Sequence, residues 1–254
     1  MTITWHGTAS IELEAEGEKI FFDPFIPLEG SATKISPDAY KDAREIFITH
    51  GHLDHIGSLT KLAGPYTYIH CTQTPVKTLI SKGISRDSLY LVKPGNEIKT
   101  HSFTITPYES KHIKFDVKLI MSTLINTRLF RMFSQAKDIG KENRICKENG
   151  ETVGYLADAE GKKVFILGSL ALDESTVYPV DMDLLVLPYQ GSSKLLEPAK
   201  EIIEKLKPKA VFLDHFDDTF PPISRSIDTI EIERYLAGEG IHVIKPEADK
   251  VYEC

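Results

Sequence analysis

An α/β protein, with two sheets packed together and helices outside, is predicted by three observations. Both halves of the 254-residue chain carry a hairpin pattern followed by alternating strands and helices. The stretch Ala15-Glu16-Gly17-Glu18-Lys19-Ile20-Phe21-Phe22 recurs nearly letter for letter as Ala159-Glu160-Gly161-Lys162-Lys163-Val164-Phe165-Ile166, an internal repeat. Between the halves, residues 117–133 switch to apolar residues at helical spacing.

The elements follow in order. Residues 1–5 are strand-like, residues 10–14 alternate apolar and polar, and residues 19–22 form a second strand across a glycine turn. Asp23-Pro24 stops that strand, because proline cannot donate to a ladder. Residues 26–42 are loop-like. A strand at 46–49 runs into a histidine-rich loop and a short helix through Leu62. A strand at 66–70 precedes a helix that Thr74 caps and Pro75 opens, ending near Gly83. Short strands are expected at 88–92, 97–100 and 102–107. In the helical segment, Val117, Ile120 and Leu124 form one apolar row and Met121, Ile125, Leu129 and Phe133 another; residues 137–149 are polar and loop-like. The second half gives strands at 153–156, 164–166, 183–187, 210–213 and 241–244, with helices at 194–206 and 227–236.

Composition bounds the function. Charged and apolar fractions of 26% and 41% are those of an ordinary soluble protein. A net charge of -7 argues against a general binder of nucleic acid or acidic membranes. Cys71, Cys146 and Cys254 are few and odd in number, which implies no disulfide framework and favours a reducing cytoplasm. The first residues lack the basic and apolar regions of a signal peptide, and no apolar run approaches the ~20 residues that span a bilayer.

The densest chemistry lies in His50-Gly51-His52-Leu53-Asp54-His55, directly behind the strand at 46–49. Imidazole nitrogen and carboxylate oxygen are the usual ligands of zinc, and imidazole also suits iron. A regular strand or helix would splay these side chains apart. Gly51 and Gly57 instead suggest a loop, with Asp54 or His55 opening a helix. His50 and His52 then grip one ion while Asp54 and His55 turn toward a second. Taken alone each histidine is more often structural; three with an aspartate at this spacing are not.

This stretch resembles the H-x-H-x-D-H signature of the metallo-β-lactamase superfamily and matches it at every specified position. The resemblance implies a four-layer αβ/βα sandwich of two similar halves, with metals at the seam. It implies a single domain over residues 1–254, with a lid or interface insertion at about 117–149. His112, after a β-run, resembles the family's third motif, and His215, after the strand at 210–213, resembles the last. One ion would be held by His50, His52 and His112, the second by Asp54, His55 and His215. Asp23 matches the family's early aspartate, which supports the histidine loop from behind. His6 resembles a histidine near the N-terminus of the branch containing ascorbate-6-phosphate lactonase and N-acyl-phosphatidylethanolamine phospholipase D, where it would line the pocket. His70, His101 and His242 read as ordinary surface or strand residues. Asp214, Asp217 and Asp218 read as solvated loop charges, with Asp217 a candidate orienter of His215.

One position departs from the family. Where Gly-Asp usually supplies an aspartate that bridges two ions, this chain has Gly168-Ser169. Asp173 is the nearest replacement in sequence. Either the second ion is weaker or a single ion serves. The reading is a hydrolase that uses a metal-activated water on an ester, lactone or phosphodiester of a small molecule. Zinc is favoured, one or two ions, with manganese or iron as alternatives, and Asp54 acts in catalysis. The competing reading is a metal-binding or regulatory protein that has lost catalysis along with the bridging carboxylate. A homo-oligomer is left open.

Overall fold

The computed structural model describes residues 1–124 and 127–254. The first sheet opens with β1 (Thr2–Trp5), β2 (Ile11–Ala15) and β3 (Glu18–Phe22), all antiparallel. From β3 the sheet continues in parallel through β4 (Glu45–Phe47), β5 (Tyr68–Cys71) and β6 (Leu89–Leu91). The second sheet repeats the scheme. Its β7 (Ile98–Lys99), β8 (Thr104–Ser110), β9 (Thr152–Ala159) and β10 (Lys162–Ile166) are antiparallel. Its β11 (Leu184–Pro188), β12 (Ala210–Asp214) and β13 (His242–Ile244) add in parallel. Finally β14 (Val251–Glu253) pairs with β1, giving seven strands in each sheet.

The sequence repeat is thus a structural one. Glu16-Gly17 turns β2 into β3, and Glu160-Gly161 turns β9 into β10. All four residues have positive φ, between 49° and 81°, the conformation of a two-residue turn that matches strand twist.

On β3, Phe22 packs into the cluster between the sheets, with Phe47, Tyr155 and Phe165, while its neighbour Phe21 joins an outer cluster with Ile46, Leu53, Ile56 and Leu79. Successive strand residues face opposite sides, so a strand covered on both sides reads as a continuous apolar run. Each such phenylalanine contributes roughly 1.5–3 kcal/mol through burial. The Tyr155 hydroxyl donates to the Ile48 carbonyl at 2.8 Å, tying the second sheet to the strand end that leads into the histidine loop.

Helices cover the outer faces. In the first half these are α1 (Leu53–Ile56), α2 (Leu59–Leu62) and α3 (Gln73–Ser81). Between the halves come α4 (Val117–Leu124), α5 (Thr127–Arg131) and α6 (Phe133–Glu142); the second half adds α7 (Leu196–Leu206) and α8 (Ile230–Gly238). Among the described residues, no helix is long and apolar enough to cross a membrane.

Four local expectations differ from the structure. The cap of α3 is Thr72 rather than Thr74, because the Glu151 carboxylate takes the Thr74 amide from outside the helix. Helix extends through Glu142, where residues 137–149 read as loop: Ile139 is buried in the outer cluster and anchors a mostly polar turn. Among the described residues the stripe at 117–133 breaks at Met132, between α5 and α6; Ile125 lies outside the described residues, as do the side chains of Ile120 and Leu124. Strand β14 has only three residues and no sequence signal.

Candidate metal centre

Strand β4 ends at Phe47, and the chain then crosses the seam between the sheets. Gly168, following β10, lies so close that a Cβ there would meet Thr49 Cβ at 2.3 Å. Only glycine permits that approach of the second sheet to the histidine loop. The loop ends at His52, which caps α1; the helix therefore begins at Leu53, one residue before Asp54.

Two groups of donors result. Ligand atoms of His50, His52 and His112 lie within 4.8 Å of one another, and so do those of Asp54, His55 and His215. His112 reaches the first group from the end of β8, and His215 reaches the second from the end of β12. The groups adjoin: the His50 and His55 rings are 3.9 Å apart between centroids.

Hydrogen bonds behind the rings hold their Nδ1 atoms. His55 Nδ1 donates to Asp23 Oδ2 at 2.7 Å, and His112 Nδ1 donates to the Ile113 carbonyl at 2.7 Å. His215 Nδ1 donates to Gln190 Oε1 at 2.5 Å. In each case Nδ1 is engaged and Nε2 is the nitrogen turned toward the other donors, where an ion would replace any proton it carries. His215 Nε2 stands 3.1 Å from Asp54 Oδ2, and His55 Nε2 stands 3.9 Å from the same oxygen. In the first group, His50 Nε2 faces His52 Nδ1 at 3.0 Å, a contact that needs one proton or one cation between the two nitrogens. The donor set therefore fits a borderline-soft divalent cation.

The groups differ electrostatically. Burial, with the neighbouring histidines, pushes His50 well below its usual value. Burial brings His52 down to about 4 and also lowers His112. Burial pulls Asp54 upward, yet His55 and His215 outweigh it and hold this carboxylate well below the usual range. Burial likewise opposes charging of His215, but the Asp54 contact, with Asp214 and Asp217 nearby, raises it to about 9. The first group is a set of neutral donors; the second is an ion pair.

Asp23 is buried behind the loop with φ +46°, accepting from the Thr49 amide at 2.8 Å and from the Thr49 hydroxyl as well as from His55. A non-glycine residue in that region is strained, and here the three bonds hold it. His215 also has positive φ, 58°, with its amide bonded to the Thr8 carbonyl.

Other expected residues lie elsewhere or act otherwise. His6 is not on the cavity wall: it is buried, with Nδ1 on Asp249 at 2.7 Å and Nε2 on Glu12 at 3.2 Å. Ser169 sits at the seam, and its Oγ accepts from the Ile113 amide at 3.0 Å. Asp173 does not replace the bridge; its carboxylate is taken by Lys111 at 3.0 Å and by the Ser175 amide at 2.8 Å. Asp214, Asp217 and Asp218 are buried rather than solvated. Asp217 accepts from Thr8 and Thr33, and Asp218 pairs with Arg128 at 2.7 Å. The residue that orients His215 is Gln190, in the loop after β11, which no sequence signal marked. His70 is a strand residue, buried against Phe47 and bonded to Glu45.

Both donor groups open into a cavity of about 590 Å³. Phe115 and Leu119, from the segment that begins α4, form part of its wall. Asp116 pins that segment by accepting from the Leu119 amide, the Ser192 hydroxyl and the Ser193 amide.

Known proteins resemble the chain in sequence and in fold. The chain is 25% identical over 266 residues to a UPF0173 metal-dependent hydrolase of Methanopyrus kandleri, with all of both chains covered. It is 28% identical over 232 residues to a UPF0173 metal-dependent hydrolase of Bacillus velezensis, covering 90% of each. Among solved structures, the fold is shared with Igni18, described as a novel metallo hydrolase from Ignicoccus hospitalis (TM-score 0.65, 18% identity, 100% and 98% covered). It is shared also with an isothiocyanate hydrolase from Delia radicum gut bacteria (TM-score 0.64, 14% identity, 100% and 99% covered). The family model described as beta-lactamase superfamily domain matches residues 2–213, and the chain belongs to that superfamily, in its metallo-β-lactamase form.

Proposed function

We propose that the chain is a metal-dependent hydrolase of a small-molecule ester, lactone or phosphodiester, built as one domain with residues 117–149 roofing the site. The observation that carries this reading is the pair of adjoining donor groups at one end of a cavity. His50, His52 and His112 would hold one ion, and Asp54, His55 and His215 a second. Zinc is our first choice, since imidazole and carboxylate donors suit it; manganese and iron are alternatives. When bound, such an ion supplies Lewis acidity, lowering the pKa of a water toward about 7 and polarising the bond under attack.

The chain's own residues do the rest. Asp23, Gln190 and the Ile113 carbonyl hold Nδ1 of His55, His215 and His112, so each ring presents Nε2 toward an ion without turning. Asp54 receives the proton of the attacking water and passes it to the leaving group, as a carboxylate held ionised beside His215 can. Ser169 cannot bridge two cations as a carboxylate would. Two cations at the ~3.5–4 Å of a two-metal site repel. We therefore expect fewer than two metals per chain as purified, with the carboxylate-bearing site better filled.

Elemental analysis of purified protein, with turnover of a generic lactone and a bis-aryl phosphodiester before and after chelation, tests the reading. We expect bound metal and chelator-sensitive hydrolysis. Absence of metal, with no gain in Tm on adding zinc, manganese or iron, would sink it. Bound metal without turnover would instead favour the regulatory reading that Ser169 suggests.

A further inference from the structure

Each histidine that the second sheet contributes is followed in the chain by apolar cavity wall. After His112 come Ile113, Phe115 and Leu119; after His215 come Phe220, Ile223 and Ile227. The two stretches are held in place from outside. Asp116 ties the first to Ser192 and Ser193, and Arg128 on α5 pairs with Asp218 just ahead of the second. Ile113 is also wedged against Gly191, where an added Cβ would come within 2.5 Å of its Cγ2. Phe115 is 54% exposed, and its ring lies on the cavity wall beside the three-histidine group, 5.3 Å from the His112 ring and 6.4 Å from the His52 ring between centroids.

Resting on the hydrolase reading, we propose that the substrate carries a medium-length apolar arm, which lies between the 113–119 and 220–227 walls while its scissile group sits at the histidines. A site for a compact, heavily charged substrate would face its metal centre with polar and cationic side chains. Lys147 and Arg225 do line this cavity, but the stretches that follow the two outlying histidines place Ile113, Phe115, Leu119, Phe220, Ile223 and Ile227 on its wall, a mainly apolar lining. The volume suits a ligand of ordinary small-molecule size, and such pockets gain affinity from apolar walls and direction from a few polar groups. Each methylene buried between the walls should tighten binding about three- to fourfold until the cavity is full.

The test is calorimetric binding of acetate, butyrate, hexanoate and octanoate, with and without added zinc, beside hydrolysis of the matching p-nitrophenyl esters. Affinity rising about tenfold per pair of methylenes supports the arm. Affinity that is flat or falls with length overturns it, whether or not any ester is cleaved. Loss of metal binding or of turnover with the length dependence intact would sink the hydrolase reading and leave the arm standing. Phe115→Ser and Ile223→Asp should each cut the octanoate-to-acetate affinity ratio at least tenfold. Phe115, being half exposed, can be replaced without opening the core, so an unchanged ratio in a folded Phe115→Ser protein overturns the placement at that wall.

Discussion

The two sheets have the same strand order and the same hairpin, yet they build the metal centre in opposite ways. The first sheet delivers four of the six donors from the loop after β4 and the helix α1 that it opens, within six residues of sequence. The second delivers two, His112 and His215, from the ends of strands more than a hundred residues apart. At the place equivalent to the histidine loop, after β11, the second sheet carries Gln190, which holds a ligand's ring instead of being one. After β3 the first sheet has Asp23; after β10 its counterpart stretch has Gly168 and Ser169. One half provides most of the donors and their buried carboxylate, and the other provides the remaining two donors with closure, orientation and much of the cavity wall.

If that division is right, damage to the first half should be the more severe. Asp54→Ala removes both a donor and the proton carrier, and activity should fall about a thousandfold or more with the fold intact by circular dichroism. Retention of a tenth of the activity would remove Asp54 from the chemistry. Asp23→Ala should come next. It orphans the Thr49 amide and hydroxyl and frees the His55 ring, so metal affinity should fall about 10–100-fold. Stability should drop by about 1–3 kcal/mol for the unsatisfied buried groups, measured by denaturant titration.

In the second half, Gln190→Ala should weaken metal binding at the Asp54–His55–His215 group about tenfold while sparing stability. Equal weakening of both groups in a metal titration would contradict the separate assignment of the two sites.

The two groups should also separate by pH in metal-free protein. His52 is lowered to about 4 when folded, against an ordinary 6.5, so the unfolded chain binds the extra proton between those values. Its contribution is therefore complete above pH 6.5 and lost as pH falls toward 4. His215 is raised to about 9, so its contribution is complete below pH 6.5 and lost as pH rises through 9. Tm should peak between these limbs, moving roughly 2–4 °C per kcal/mol for a chain of this size. His52→Asn should reduce the acid limb and leave the alkaline one in place, and His215→Asn should flatten the alkaline limb.

The smallest effect concerns Ser169. Its hydroxyl accepts from the Ile113 amide, next to His112, so Ser169→Ala should loosen His112 and weaken the three-histidine group a few-fold. Ser169→Asp should raise metal content toward two per chain if the carboxylate reaches between the groups. Unchanged content would mean that its new oxygens stay on the Ile113 amide.

What the sequence revealed follows the same division. The histidine loop was legible because its donors are contiguous, and the two sheets because each hairpin repeats a Glu-Gly turn. His112 and His215 needed family resemblance, since an isolated histidine carries no spacing information. Gln190 was invisible: its role depends on where β11 ends relative to β12, which is set by pairing across the sheet. His6 was misplaced for a similar reason, because its partner Asp249 lies at the opposite end of the chain. The buried aspartates after β12 looked solvated because acidic runs usually are, and only packing against Thr8, Thr33 and Arg128 shows otherwise.

The pairing of β14 with β1 sets an order of events during synthesis. Thr2 aligns with Glu253 and Thr4 with Val251, so that ladder joins residues separated by nearly the full length of chain. Strands β7 through β13 form an uninterrupted stretch and can assemble among themselves as they leave the ribosome. The first sheet, although made first, must wait with the outer edge of β1 uncovered until the chain has passed residue 251. An unpaired edge held open that long is a site for misdirected pairing between nascent chains. Slowing elongation anywhere between β6 and β14 should therefore lower the soluble yield.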